Sequence, residues 1–166
     1  RRGSPDGARV PSATPTSEEQ VAARDITVTG RVVYTRGDGW KLGADNTRVE
    51  AFDEDEGWDE YLAGGHTDAD GYFSLTFHWD PWPWQDQQPD LLIYCESINS
   101  HVQVQTAGLI ETNYSWETGT VDDYAGVLYD FGEITPPEEH DHPAFHILSQ
   151  VTRAWRWLNE HEGYTL

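Results

Sequence analysis

Short alternations of apolar and polar residues run through most of the chain. Ile26, Val28, Val32 and Tyr34 alternate through Gly30 and predict a first strand. Val49 and Ala51 predict a second, which ends in the acidic run Asp53-Glu54-Asp55-Glu56. Residues 60–66 lead into a third. Phe73, Leu75, Phe77 and Trp79 fall on one face of the next, with Ser74, Thr76 and His78 on the other. Leu91, Ile93 and Cys95 share one face of a further strand, Val102 and Val104 predict another, and Val127, Tyr129 and Phe131 mark the last. Turn chemistry separates these stretches. Asp70-Gly71 is a tight-turn pair, because Gly accepts positive φ and an Asp side chain can bond its own backbone. The prolines of Asp80-Pro81-Trp82-Pro83-Trp84 forbid a ladder there. Residues 107–125 are polar and Gly-rich and predict a long loop or an irregular hairpin. About seven short strands with turns between them make the expected fold mainly β, a Greek-key β-sandwich.

The period then changes. Leu148, Val151, Trp155 and Leu158 recur at helical spacing, flanked by Phe145 and Ile147, with Pro143 suited to the first turn and Gly163 to the end. Such a stripe predicts one C-terminal helix docked on its own sandwich. At the other end, residues 1–24 carry Pro5, Pro11 and Pro15 among Gly, Ser, Thr and Ala, with scattered apolar residues. That composition cannot form a core of its own. The expected organisation is an extended leader over 1–24, a sandwich over 25–135, and a Pro-Pro linker with an amphipathic helix over 136–166.

Composition narrows the function classes. The 166 residues hold 10 Lys and Arg against 30 Asp and Glu, a formal charge of −20. A surface of that sign repels phosphate backbones and anionic membranes, so nucleic-acid binding is not expected. No apolar run approaches the ~18 residues of a membrane span. The 8 Trp and 8 Tyr are many for so polar a chain, and exposed aromatics are a means of holding sugars or other proteins. The single Cys95 excludes an internal disulfide, and its apolar face-mates Leu91 and Ile93 predict a buried, inert thiol. The absence of Met implies processing or a piece of a longer chain, which makes secretion the expected fate.

The pieces, in order, resemble the transthyretin-like (prealbumin-like) β-sandwich family. The resemblance is carried by Val28-Thr29-Gly30-Arg31-Val32, by Arg48-Val49-Glu50-Ala51-Phe52-Asp53 before an acidic loop, by the turn from Thr67 to Phe73, by Pro89-Asp90-Leu91-Leu92-Ile93-Tyr94, and by Asp130-Phe131-Gly132-Glu133-Ile134. It implies a transthyretin/Ig-like sandwich over about residues 25–135, and related sandwiches serve as binding modules, peptidase-associated domains and adhesive repeats. One branch that looks like transthyretin hydrolyses hydroxyisourate and ends in Tyr-Arg-Gly-Ser. That tetrapeptide is missing here, as is the His-Glu-x-x-His of the zinc peptidases that a similar sandwich and helix precede in some large bacterial proteins.

Candidate sites stand beside plainer readings. Asp68 and Asp70, with nearby Asp53, Asp55 and Glu56, offer the oxygens that Ca²⁺ requires, although turn chemistry alone explains Asp68-Ala69-Asp70-Gly71. His142 and His146 sit four residues apart across the helix start, beside Glu138, Glu139 and Asp141, and can face one metal; an acidic linker with stray His is the alternative. Trp79, Trp82 and Trp84 surround Pro81 and Pro83 in a stiff loop, which can hold a protein partner or a sugar or simply cap the sandwich. Asn113-Tyr114-Ser115 is a glycosylation sequon. No nucleophile lies in a Gly-x-Ser-x-Gly setting, and no catalytic set emerges.

The resulting expectation is a non-enzymatic, extracellular or cell-surface structural or adhesive subunit, without a required cofactor, that assembles with copies of itself. The leader, through Val10, Ser12 and Thr14, would contact a neighbouring protomer, in one version by adding a strand. The alternative is an accessory module of a secreted peptidase that binds carbohydrate or protein through Trp82 and Trp84.

Overall fold

The computed structural model describes residues 22–55, 57–82, 87–107, 109, 111–137 and 142–162. The leader residues Val10, Ser12 and Thr14, and Trp84, lie outside them. Among the described residues eight strands and one helix are formed: β1 (Arg24–Thr35), β2 (Lys41–Gly43), β3 (Arg48–Asp53), β4 (Glu60–His66), β5 (Tyr72–Trp79), β6 (Leu91–Glu96), β7 (Ser115–Glu117), β8 (Leu128–Ile134) and α1 (His142–Glu162). They make two four-stranded sheets. In one, β1 pairs with β2, β5 and β8; the other has the order β4-β3-β6-β7. All pairings are antiparallel except that of β1 with β8.

The alternation read from the sequence decides which side chains face inward. Ile26, Val28, Val32 and Tyr34 of β1 meet Val49 and Ala51 of β3, Phe73, Leu75, Phe77 and Trp79 of β5, and Leu91, Ile93 and Cys95 of β6 in one buried core. Gly30 belongs to this pattern because it pairs with Phe73, and a Cβ there would come within 2.8 Å of the Phe73 ring. The β4–β5 turn closes as expected. Asp68 Oδ1 accepts the amides of Asp70 and Tyr72, each at 2.9 Å, and Gly71 takes φ +86°.

Three expectations are corrected. The stretch through Val102 and Val104 is no strand; isolated bridges pair Ile98 with Gln103 and Gln105 with Asn113. The region 107–125 supplies β7, and Lys41–Gly43 supplies β2; at three residues each, neither is long enough to show an alternation. Third, the helix docks on the sandwich by only part of the expected stripe: Phe145 and Leu148 are buried and Trp155 partly so, whereas Val151, Leu158 and Ile147 are exposed. Its buried face is Ala144, Phe145, Leu148, Ser149 and Thr152. Ser149 Oγ accepts the amide of Asp45 at 2.8 Å, and Asn99 Nδ2 donates to Thr152 Oγ1 at 3.0 Å. Two of these five residues are hydrogen-bonded rather than apolar, so hydrophobic periodicity alone turns the predicted face partly away from the seam. Trp155, partly buried, stacks on His101 at 4.0 Å between ring centroids. Among the described residues, no helix is long and apolar enough to cross a membrane.

Candidate functional site

The chemistry-bearing residues concentrate at the end of the sandwich where β3 finishes and β4 starts. The register pairs Asp53 with Glu60 and Phe52 with Tyr61 across β3 and β4, and Asp53 with Leu91 across β3 and β6. Asp53 follows Val49 and Ala51 in the inward phase of its strand, so a carboxylate is carried to the edge of the core. It is 2 % exposed. Its Oδ1 accepts the amide of Asp90 at 2.6 Å, whereas its Oδ2 is buried without a hydrogen-bond partner among the described residues. Burial pushes the acid up to about 6; the Asp90 amide opposes this, and the carboxylates of Asp55, Asp90 and Glu60 add to it. Carboxylate oxygens of Asp53, Asp55 and Glu60 lie within 4.8 Å of one another, the last two exposed. Beside them a depression of about 310 Å³ is lined by Glu54, Asp55, Asp90, Thr120 and Asp122. The Thr120 hydroxyl donates to Glu54 there, and Asp90 Oδ1 accepts the amide of Asp123 at 2.6 Å.

An aromatic groove adjoins this acidic end. It occupies about 390 Å³ and is lined by Glu60, Tyr61, Leu62, His78, Trp79, Asp80, Pro81 and Trp82. It lies between the edge strands of the two sheets, where β5 runs into the proline loop. Tyr61 and Trp82 are exposed, Trp82 by 62 %, and Phe52 braces Tyr61 edge-on at 5.8 Å. Trp79 differs from Trp82: it is core at 4 % exposure, and its indole donates to the Gln87 carbonyl at 3.2 Å. Tyr61 was not singled out by the sequence, because a lone aromatic in a weakly alternating strand carries no signal. Glu60 serves both the groove wall and the acidic cluster.

The other predicted residues are not brought to this end. Asp68 and Asp70 sit in the turn at the opposite end of the β3–β4 hairpin, where Arg48 pairs with His66, and Asp68 is occupied with backbone amides. His146 stacks on Tyr34 with 5.1 Å between ring centroids; the side chain of His142 lies outside the described residues. Asn113 donates its side-chain amide to Glu96 Oε1 at 2.8 Å, so a glycan on that nitrogen would displace the bond. Cys95 is fully buried, and burial pushes its thiol up to about 12.

No protein-family model and no curated protein matches the sequence. Several solved structures resemble parts of the fold. A 9R-lipoxygenase from Cyanothece PCC8801 is 25% identical with a TM-score of 0.46, covering 79% of this chain and 19% of its own. The major plantain pollen allergen Pla l 1 is 13% identical with a TM-score of 0.39, covering 68% of this chain and 92% of its own. An (S)-allantoin synthase is 10% identical with a TM-score of 0.37, covering 68% of this chain and 41% of its own. The chain thus spans under a fifth of the lipoxygenase. Likenesses at these TM-scores carry no functional argument.

Proposed function

We propose that this chain is a non-enzymatic binding module of transthyretin-like, Greek-key build that works outside the cell and holds carbohydrate in the groove beside Trp82. The observation that carries the reading is the pairing of exposed rings with hydroxyl-binding groups: Tyr61 and Trp82 share one groove with Glu60, His78 and Asp80. Aromatic faces stack on the apolar faces of sugar rings, while carboxylates and imidazole hydrogen-bond to hydroxyls. The −20 charge directs the choice toward neutral or cationic glycans. A screen of neutral oligosaccharides against the intact chain tests the proposal. Binding that Trp82→Ala and Tyr61→Ala abolish supports it; binding indifferent to both, or no binding to any glycan of the set, removes it.

Self-assembly is the second reading, and one observation favours it. Among the described residues β8 pairs on one side only, with β1, and Val127 and Leu128 are exposed at its start. An open edge of this kind is where a strand from a second copy can add.

A further inference from the structure

The groove leaves one feature of its surroundings unexplained. Asp53 is a carboxylate almost wholly removed from water, yet one of its oxygens meets no donor among the described residues. A buried charge in that condition is costly unless something positive completes it. The side chains that face it make the cost worse, since Asp55, Glu60 and Asp90 are all acidic. No ion pair among the described residues reaches Asp53 or Asp55.

We propose that Asp53, Asp55 and Glu60 bind one calcium ion at the β3–β4 end of the sandwich, with the unpartnered Oδ2 of Asp53 as the inner ligand. The donors are all hard carboxylate oxygens, which suit Ca²⁺ or Mg²⁺ and not the softer metals that prefer imidazole or thiolate. Tolerance of geometry selects between the two: Ca²⁺ accepts irregular oxygen arrangements, whereas Mg²⁺ demands a near-ideal octahedron and gives up its waters reluctantly. Carboxylate oxygens within 4.8 Å of one another, carried by a strand, a loop and the next strand, match the more tolerant ion. The arrangement is also built rather than merely acidic. Asp53 is held by the Asp90 amide and by pairing on both sides of β3, while Asp55 and Glu60 come from the loop and strand that follow. Water fills the outer positions, as in calcium sites with few protein ligands.

This site does not depend on the carbohydrate reading, so its test contains no sugar. The intact chain, stripped with chelator, is titrated with Ca²⁺ and separately with Mg²⁺ while its melting temperature and its binding heat are followed. Saturable binding of one Ca²⁺ per chain is expected, in the range of about 10⁻⁴–10⁻³ M usual for extracellular modules, with a rise in melting temperature. Asp55→Asn and Glu60→Gln, both on exposed side chains, are expected to weaken Ca²⁺ at least tenfold. Glu111→Gln with Glu117→Gln removes as much charge elsewhere and is expected to leave the affinity within twofold. Terbium(III) supplies a second readout, its luminescence displaced by Ca²⁺ in the wild type and absent in Asp53→Asn. An unchanged melting curve with no binding heat through that range overturns the site. So does equal weakening by the Glu111/Glu117 pair, which would mark diffuse attraction to an acidic surface.

Discussion

Arg156 grips Asp45 with both prongs of its guanidinium group, Nη1 donating to Oδ2 at 3.1 Å and Nη2 to Oδ1 at 2.9 Å. The two residues lie 111 positions apart in the chain. Asp45 lies in the turn after β2 with its side chain fully buried, and Arg156 lies in the second half of α1. Arg153 adds a looser contact to Oδ2 at 3.8 Å, and the Asp45 amide donates to Ser149. Asp45, with two arginines on its carboxylate and Ser149 on its amide, therefore collects three residues of one helix and fixes where it lies on the sandwich.

Removing the gripping arginine leaves that carboxylate buried and underfilled. Arg156→Ala is expected to lower stability by about 1–3 kcal/mol, below the value for a wholly buried pair because the arginine side chain is itself partly in water. Urea unfolding measures the loss. The double variant with Asp45→Asn should recover part of it, since the charge that needed the arginine is gone.

Asp53→Asn tests the same physics with the opposite sign. The Asn carbonyl can keep the Asp90 amide, while the uncompensated charge disappears. With chelator present at neutral pH, the variant is expected to unfold at higher urea than the wild type, by about 1–3 kcal/mol. Added Ca²⁺ should reverse the order.

Glu133 links β8 to its neighbours, with Lys41 at 2.8 Å and Arg31 at 3.2 Å. Lys41, by its hydrogen bond and its charge, and then Arg31 hold the Glu133 acid below its ordinary value. A carboxylate lowered in the folded state contributes stability that is full above its unfolded value and is lost as the pH falls through the folded one. Glu133→Gln should flatten that part of the acid-side stability curve. High salt should do the same in the wild type, because these groups are open to solvent.

Gly71 takes φ +86°, and a Cβ there would run into the Val32 carbonyl oxygen. Gly71→Ala is therefore expected to cost more than the about 1 kcal/mol of backbone strain alone. Thermal unfolding is the measurement, with Gly37→Ala, where the added carbon meets nothing, as the mild comparison.

Cys95 should resist thiol reagents in the folded protein and react at the rate of global unfolding, because its sulfur is buried and held protonated at neutral pH. Labelling of the native chain faster than unfolding would contradict this.

The sandwich was legible where strands are long and one-sided: the inward sets of β1 and β5 are the alternations seen in the sequence. The short β2 and β7 were not legible, since three residues show no period. The helix was legible as an element and in its buried Phe145 and Leu148, but not in its full orientation, because Ser149, Thr152 and Arg156 dock through polar bonds. Asp53 is the instructive case. It reads as the first member of an acidic run, yet extending the alternation Val49, Ala51 by two residues places it inside. Charge obscured a phase that the pattern already contained. Tyr61 and Trp82 come together only through the register of β4 beside the end of β5, and no local signal marks that meeting.

The parallel pairing of β1 with β8 has a mechanical consequence. Thr27 faces Leu128 and Val32 faces Ile134, so the chain comes into this sheet at one end and leaves it at the other. Tension applied between Arg24 and Ile134 pulls the two strands past each other, and their hydrogen bonds share the load instead of opening one at a time. A module strung through these two points would transmit force along its length and give way abruptly, at a rate set by its unfolding barrier.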